Sequence, residues 1–514
     1  MKYFLTLIQL WVGFLSICAS YPKANIWIIP SVESPQVYRN YAQTSKVHLE
    51  MARGEVEHIQ LVFPSKVNEE YRFTFDRNLK GIQISARELK KMNGYYDALV
   101  PFKNQLKCTD TLTAVWITVQ CPSRVPVGKY HQTIKIEGSK HFTIQLDYNV
   151  HHTTIPLKSS IPITVGVENR CMTEGLNDKE ADKEWKRWVD FVLSYRMTPV
   201  FGTQITPERW QYEHSFSPWA WNDKRSIRLL NDRRYSCYML PFFTLSENEL
   251  ASLLCNIQKK GKLKESLFYI WDEPAYMEDY EQIKRKVNII RKYASDVRIL
   301  TTFFCGPRNG PRKGDLYAVF DYLKHHIHVA TISLAPCKGN EEEVQHIRYK
   351  VPEGIDWWSY VCWQPGGNEP NFLLQMKGIQ QRAIMWRTWK NGSQGFLYWN
   401  CNIYHKRNPF TYITDMPHGD GILIYPGDIL GCKGPIASAR LERWRDGAEE
   451  MELLRLVEKN YSKEKADTLL NIVYSSPLSF IEKAHNIPFF RKELLDQLDK
   501  TIPIDYKLRI TDFI

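Results

Sequence analysis

The residues of this sequence best suited to chemistry are two adjacent carboxylates, Asp272 and Glu273, in the run Phe268–Pro274. Four apolar residues precede them and a proline follows. A short run rich in aromatic and β-branched side chains suits a strand buried on both faces, as in a parallel sheet. An unpartnered carboxylate inside such a strand is very unfavourable, so the pair belongs where the strand ends and opens into a cleft. Neighbouring strand residues point to opposite faces, so both acids reach one ligand only if the backbone leaves the pleat there. Pro274 ends the ladder and restricts Glu273 to extended conformations. Two close carboxylates also push their pKa values apart, which suits acid–base work near neutral pH. The same two residues would equally serve as the cap of a following helix.

Two further aromatics lie at or near the ends of later strands: Tyr360 in WWSYVCW and Trp399 in GFLYWN. An aromatic at the mouth of a barrel can form the floor of a sugar site, whereas core packing fits Trp357 and Trp386 as well. His325, His326 and His328 lack carboxylates or cysteines at ligand spacing and read as the start of an exposed strand. HExxH, P-loop and GxSxG motifs are missing from the sequence, so neither a metal nor a cofactor is expected. No nucleic-acid motif occurs, and the formal net charge of +11 is spread without a dense Lys/Arg block.

The elements that must position these residues follow from pattern. Up to about Val150 short alternating strands are separated by Pro/Gly turns, as in FTIQLDYNV, where Phe142, Ile144, Leu146, Tyr148 and Val150 share one face. That texture predicts a β-sandwich. His151–Pro162, with its prolines and Ser/Thr, reads as a linker. From Ile161 apolar strands alternate with amphipathic helices: ITVGV, TPVFG, CYMLPF, LFYIW, RILTTFF, HVATISL, WWSYVC and GFLYW. Trp185, Trp188, Val189, Val192 and Leu193 recur at helical spacing, as do Leu250, Leu253, Leu254 and Ile257 behind a Ser246/Glu249 capping box that ends at Gly261. Eight strands alternating with helices predict a (β/α)8 barrel with Asp272 and Glu273 at the C-terminal end of its fourth strand, the end where barrel active sites lie. The long Gly/Pro-rich loop after GFLYW has the length of a functional loop or lid. A helix follows over about Ile436 to Asn460.

The expected organisation is a signal peptide over 1–20, an N-terminal all-β sandwich over 21–155, a (β/α)8 TIM-like barrel over 160–460 and a short, mostly helical extension over 461–514. Lys2, the apolar run Tyr3 to Ile17 and the small residues after it describe an export signal, with Cys18 an alternative lipidation site. No other stretch is apolar for long enough to span a bilayer. Localisation is therefore expected to be periplasmic, cell-surface or secreted. The ten cysteines from Cys108 to Cys432 form no CxxC pair, and Cys108 with Cys121 is the nearest pair for a disulfide.

In order along the chain, WDEP, WWSYVCW, RAIMWRTW, GFLYWNCNIY, GDGILIYPG and GPIASARLERWRDGAEEMELL resemble glycoside hydrolase family 123, the β-N-acetylgalactosaminidases, and the wider group sharing their catalytic domain. HLEMARGEVEHIQLVF and VPVGKYHQTIKI are similar to the sandwich domain of that family. The last two barrel motifs identify the fold and do not carry the chemistry. The resemblance implies a glycan substrate and an adjacent Asp–Glu catalytic pair, here Asp272 and Glu273. It further implies retaining hydrolysis of terminal β-linked 2-acetamido sugars, in which the acetamido oxygen of the sugar is the nucleophile. Asp272 would orient the acetamido N–H, and Glu273 would serve as acid and then base. Tyr360 could donate to the acetamido oxygen and Trp399 pack beneath the ring, with Trp358, Asn402 and Tyr404 as further substrate-binding candidates. Tyr404 stands where relatives tend to have Trp, and RNPF, ending in Phe410, stands where an acidic stretch with Pro-Trp is usual. The competing readings are a conventional two-carboxylate glycosidase, with Asp356 or Asp315 as its second acid, and a non-catalytic glycan-binding relative.

Overall fold

A computed structural model describes residues 26–76, 79–173, 175–201, 224–240, 246–311, 313–404 and 419–501. The expected signal segment 1–20 and Phe410 lie outside these described residues.

Two five-stranded sheets form the N-terminal part. In one, Trp27–Pro30, Glu55–Pro64, Leu112–Cys121, Gln83–Met92 and Tyr95–Pro101 lie in that spatial order, all antiparallel. In the other the order is Lys46–Arg53, His141–Thr154, Gly128–Glu137, Glu70–Phe75 and Gln105–Lys107, with only the first pair parallel. Phe142, Ile144, Leu146, Tyr148 and Val150 are all buried in the sandwich core, as their alternation predicts. The strand does not give way to a linker at His151 but continues to Thr154. His151 is buried between Glu50, 2.6 Å away, and Asp499, 2.9 Å away. Those two hydrogen bonds outweigh burial and raise its imidazole to about 9. Cys108 and Cys121 are buried and not bonded to each other.

The eight predicted runs form one parallel eight-stranded sheet: Ile163–Val167, Thr198–Phe201, Tyr238–Leu240, Ser266–Trp271, Arg298–Phe303, Val329–Ser333, Asp356–Val361 and Phe396–Tyr398. Counting them one to eight, the spatial order is second, first, eighth, seventh, sixth, fifth, fourth, third, and the second and third come alongside to nearly close a barrel. Side chains alternate across the sheet as pleating requires. In the fourth strand Leu267 and Tyr269 enter the barrel interior, while Phe268 and Ile270 join the core beneath the helices. A fully buried Phe or Ile of this kind contributes about 1.5–3 kcal/mol. The helix expected after the long loop runs Ala439–Asn460, with Ser438 as its cap.

That helix is a joint between barrel and sandwich. Glu449 accepts the Val56 N–H at 3.0 Å, Arg443 donates to the Ser31 carbonyl at 2.7 Å, and His58 lies 3.1 Å from Glu442 and 3.3 Å from Asp446. Gly447 lets the preceding helix, Gly378–Lys390, approach closely: a Cβ there would sit 2.2 Å from the Arg382 carbonyl oxygen. Part of the loop expected as a lid belongs to this joint instead. Tyr425 donates to Asp97 of the sandwich at 2.6 Å, and Ser438 bridges to Ala98. Residues 405–418 of that loop lie outside the described residues.

Candidate active site

The fourth strand ends by breaking its pleat. Its ladder with the fifth strand runs in register to Tyr269 and Leu300, then skips Ile270 and resumes at Trp271 and Thr301. One extra residue in a strand bends it and re-aims the side chains that follow. Glu273 then takes φ +45°, in the left-handed region, and not the extended conformation that Pro274 predicts. Bulge and left-handed turn together supply the departure from the pleat that two adjacent acids need in order to share one cleft.

Each acid has its own partners. Asp272 Oδ1 accepts from the Tyr269 hydroxyl and from the Thr302 hydroxyl, both at 2.8 Å. Hydrogen bonds to the charged form favour a carboxylate's ionisation, and each is worth about 1.5–3 kcal/mol. Thr302 Oγ1 also accepts the Glu273 backbone N–H at 3.0 Å, so one hydroxyl on the fifth strand touches both acids. Glu273 faces the other way round the barrel mouth, where Tyr360 of the seventh strand donates to its Oε1. Burial, and then the Glu273 charge, raise the Tyr360 phenol well above its ordinary value. It is therefore a donor throughout the working pH range.

Trp399 follows the eighth strand and is half-buried. Its indole N–H donates to Asp420 Oδ1 at 3.1 Å, and Tyr398 donates to the same oxygen at 3.0 Å. Two glycines fix this corner: a Cβ at Gly166 would lie 1.9 Å from the Trp399 carbonyl oxygen, and one at Gly421 2.5 Å from its ring. Asp420 is 2 % exposed, and its Oδ2 has no hydrogen-bond partner among the described residues. Burial outweighs its donors and raises the carboxyl to about 6.

The structure thus gathers Asp272, Glu273 and Tyr360 into one hydrogen-bonded group, with Trp399 ending the neighbouring strand. The other predicted residues are placed differently. Trp358 is 0 % exposed and fills the barrel two residues below Tyr360, under the site. Asn402 directs its side-chain amide at the Glu168 backbone, accepting at 2.8 Å and donating at 3.1 Å. Tyr404 packs into the main core, and its carbonyl accepts from the Cys171 thiol at 2.8 Å. Asp356 opens the seventh strand, at the opposite end of the barrel, and is ion-paired to Arg298. Asp315 is exposed on the loop after the fifth strand. His328 Nδ1 accepts the Ile299 N–H at 3.1 Å, a structural role.

The sequence alone does not single out Tyr269, Thr302 or Asp420. Their signals are faint: a hydroxyl or phenol within an apolar strand, and an acid between the two glycines of GDG.

The description "Glycoside hydrolase 123, catalytic domain" matches residues 182–457. Among solved structures, a family 123 glycoside hydrolase from Clostridium perfringens, studied for glycolipid glycan hydrolysis, aligns with TM-score 0.65 at 14% identity, covering 95% of this chain and 100% of that one. A GH5 xyloglucanase from Bacteroides ovatus aligns with TM-score 0.24 at 10% identity, over 79% of this chain and 98% of that one. No curated protein matches the sequence.

Proposed function

The chain belongs to glycoside hydrolase family 123, and from that premise we propose that it is an exported retaining enzyme that removes terminal β-linked N-acetylgalactosamine by substrate-assisted catalysis. The observation that carries this reading is the division of partners between the adjacent acids. Asp272 receives two hydroxyl donors on one oxygen, which suits a carboxylate that stays charged. It would orient the acetamido N–H of the sugar and stabilise the positive charge of the cyclised intermediate. The acetamido oxygen attacks the anomeric carbon, and Glu273 protonates the departing oxygen. Glu273 then takes a proton from the water that reopens the ring.

Tyr360 supplies a means of timing in this scheme. Its hydroxyl rests on Glu273 and favours the charged form of that acid. When the substrate's acetamido oxygen draws the Tyr360 proton to itself, Glu273 loses a donor and its affinity for a proton rises, as a general acid requires. A conventional pair of opposed carboxylates finds less support, since Asp356 lies at the wrong end of the barrel. Asp420 is 2 % exposed and holds Trp399 and Tyr398 through Oδ1, which makes it a support for that corner. The Clostridium relative's glycolipid glycans indicate the type of substrate we propose here.

The test is a thiazoline analogue of the cyclised intermediate. Transition-state-like species bind orders of magnitude more tightly than substrates. The thiazoline should therefore inhibit at concentrations at least about 100-fold below the parent amino sugar. Asp272→Asn should remove most of that advantage while changing product affinity little. A wild type with no preference for the thiazoline, which also hydrolyses sugars lacking the acetamido group, would defeat the proposal.

A further inference from the structure

Beside the joint helix, between sandwich and barrel, lies a cavity of about 540 Å³. Sites that hold small ligands span about 300–1,000 Å³. Its sandwich wall carries Arg87 and Phe102, and its barrel wall carries Tyr195, Glu442 and Arg445. Tyr195 follows the helix Asp178–Ser194 and precedes the start of the second barrel strand. The cavity therefore lies toward the N-terminal end of the barrel, away from Asp272 and Glu273. The proposed hydrolysis makes no use of it.

The charges on its walls do not balance. Among the described residues that line it, Arg87, Lys103 and Arg445 stand against one carboxylate, Glu442. Both oxygens of Glu442 are already engaged. Oε1 accepts from the Tyr195 hydroxyl at 2.7 Å and pairs with Arg87 at 2.6 Å. Oε2 pairs with Arg445 and lies 3.1 Å from His58. Burial opposes the Glu442 charge, but Arg445, Arg87 and His58 outweigh it and hold the carboxyl well below its usual range. The next acids of the joint helix are engaged elsewhere, Asp446 by His58 and Arg382 and Glu449 by Arg196. Arg445 is 8 % exposed, and its buried Nε has no acceptor among the described residues. Cations held in such a place favour an anion beside them.

The apolar part of the wall is equally fixed. Phe75 and Phe102 are half-buried there, braced by Phe73 with ring centres 6.4 and 5.0 Å away. Rigid rings of this kind suit the C–H face of a sugar and lose little entropy on binding. We propose that the cavity is a second, non-catalytic binding site for an acidic saccharide unit. Its carboxylate or sulfate ester is directed toward Arg87, Arg445 and Lys103, and its C–H face rests on the two phenylalanines. Arg87 is pre-positioned for this role by its 2.7 Å hydrogen bond to Thr118, and guanidinium groups match planar or tetrahedral oxyanions well. The site stands whichever bond the acid pair cleaves.

The experiment is titration calorimetry on the full chain with a methyl glucuronide, a 6-sulfated methyl galactoside, their neutral parent glycosides and inorganic sulfate. An acidic glycoside should bind at least about tenfold more tightly than its neutral parent and than inorganic sulfate. Whichever of the two binds tells carboxylate from sulfate ester. Lys103 and Ser85 line the cavity at exposed positions, so changes there leave the buried charges in place. Lys103→Glu reverses a charge and Ser85→Trp fills the space. Each should weaken the acidic glycoside at least about tenfold and leave hydrolysis of a neutral substrate within about twofold. Equal binding of acidic and neutral glycosides, inorganic sulfate binding as tightly as the sugars, or unchanged affinity in either variant would overturn the site.

Discussion

The backbone N–H of Glu273 donates to the side-chain oxygen of Thr302 at 3.0 Å, across the gap between the fourth and fifth barrel strands. It is the contact that holds a left-handed glutamate in place, and the same hydroxyl reaches Asp272 at 2.8 Å. Backbone strain of this kind persists only where its surroundings fix it, and it gathers at functional sites.

Thr302→Val keeps the shape of the side chain and removes its hydroxyl. The variant should lose about 1–3 kcal/mol of stabilisation of the reacting state, roughly 5- to 150-fold in kcat/KM, and Thr302→Ser should restore most of it. The pH–rate profile should also shift, because Asp272 loses one donor. A variant with wild-type kinetics and profile would leave Thr302 a mere packing residue.

Glu273→Gln should abolish turnover of substrates with poor leaving groups and slow activated aryl glycosides much less, since general-acid assistance is worth about 10²–10⁴-fold. Tyr360→Phe should weaken binding of the acetamido sugar more than that of its deacetylated counterpart. Kinetics on paired substrates measure both. Equal damage by Glu273→Gln on good and poor leaving groups would remove the acid role.

Asp420 gives a pH signature. Burial raises its carboxyl from 3.8 in the free residue to about 6 in the fold. Between those values the folded chain holds a proton that the unfolded chain lacks, so this contribution is full below pH about 4 and is lost as pH rises to about 6. The loss amounts to about 3 kcal/mol at about 1.4 kcal/mol per pH unit. Thermal melts of wild type and Asp420→Asn should therefore diverge in favour of the variant as pH rises from about 4 to 6.5. A difference independent of pH would show that Asp420 titrates normally.

Arg491, on the helix Ile487–Asp499, is buried against sandwich residues, 2.6 Å from Glu55 and 2.9 Å from Glu57, and 3.5 Å from Glu450 of the joint helix. Arg491→Ala strands these acids and should cost about 3–5 kcal/mol in urea denaturation. A loss under about 1 kcal/mol would mean that water or protonation compensates. Protonation would act at Glu57, whose carboxyl burial raises to about 8.

The sequence by itself determined the two-part fold, the eight barrel strands and the acid pair at the end of the fourth. Each is written in local pattern: alternation in Phe142–Val150, apolar runs between helices, and two charges that a buried strand cannot keep. The tertiary structure decided what those charges touch. Thr302 lies on another strand, Tyr360 on a third, and Asp420 follows the barrel altogether, and no spacing along the chain encodes such meetings. It also decided that His151 anchors a strand where composition suggests a linker, and that Asn402 braces a loop where a motif suggests a ligand contact. Glu273 shows the division most clearly. Pro274 argues locally for an extended residue, but the bulge at Ile270 and the hydrogen bond to Thr302 outweigh that preference and turn the glutamate toward the seventh strand.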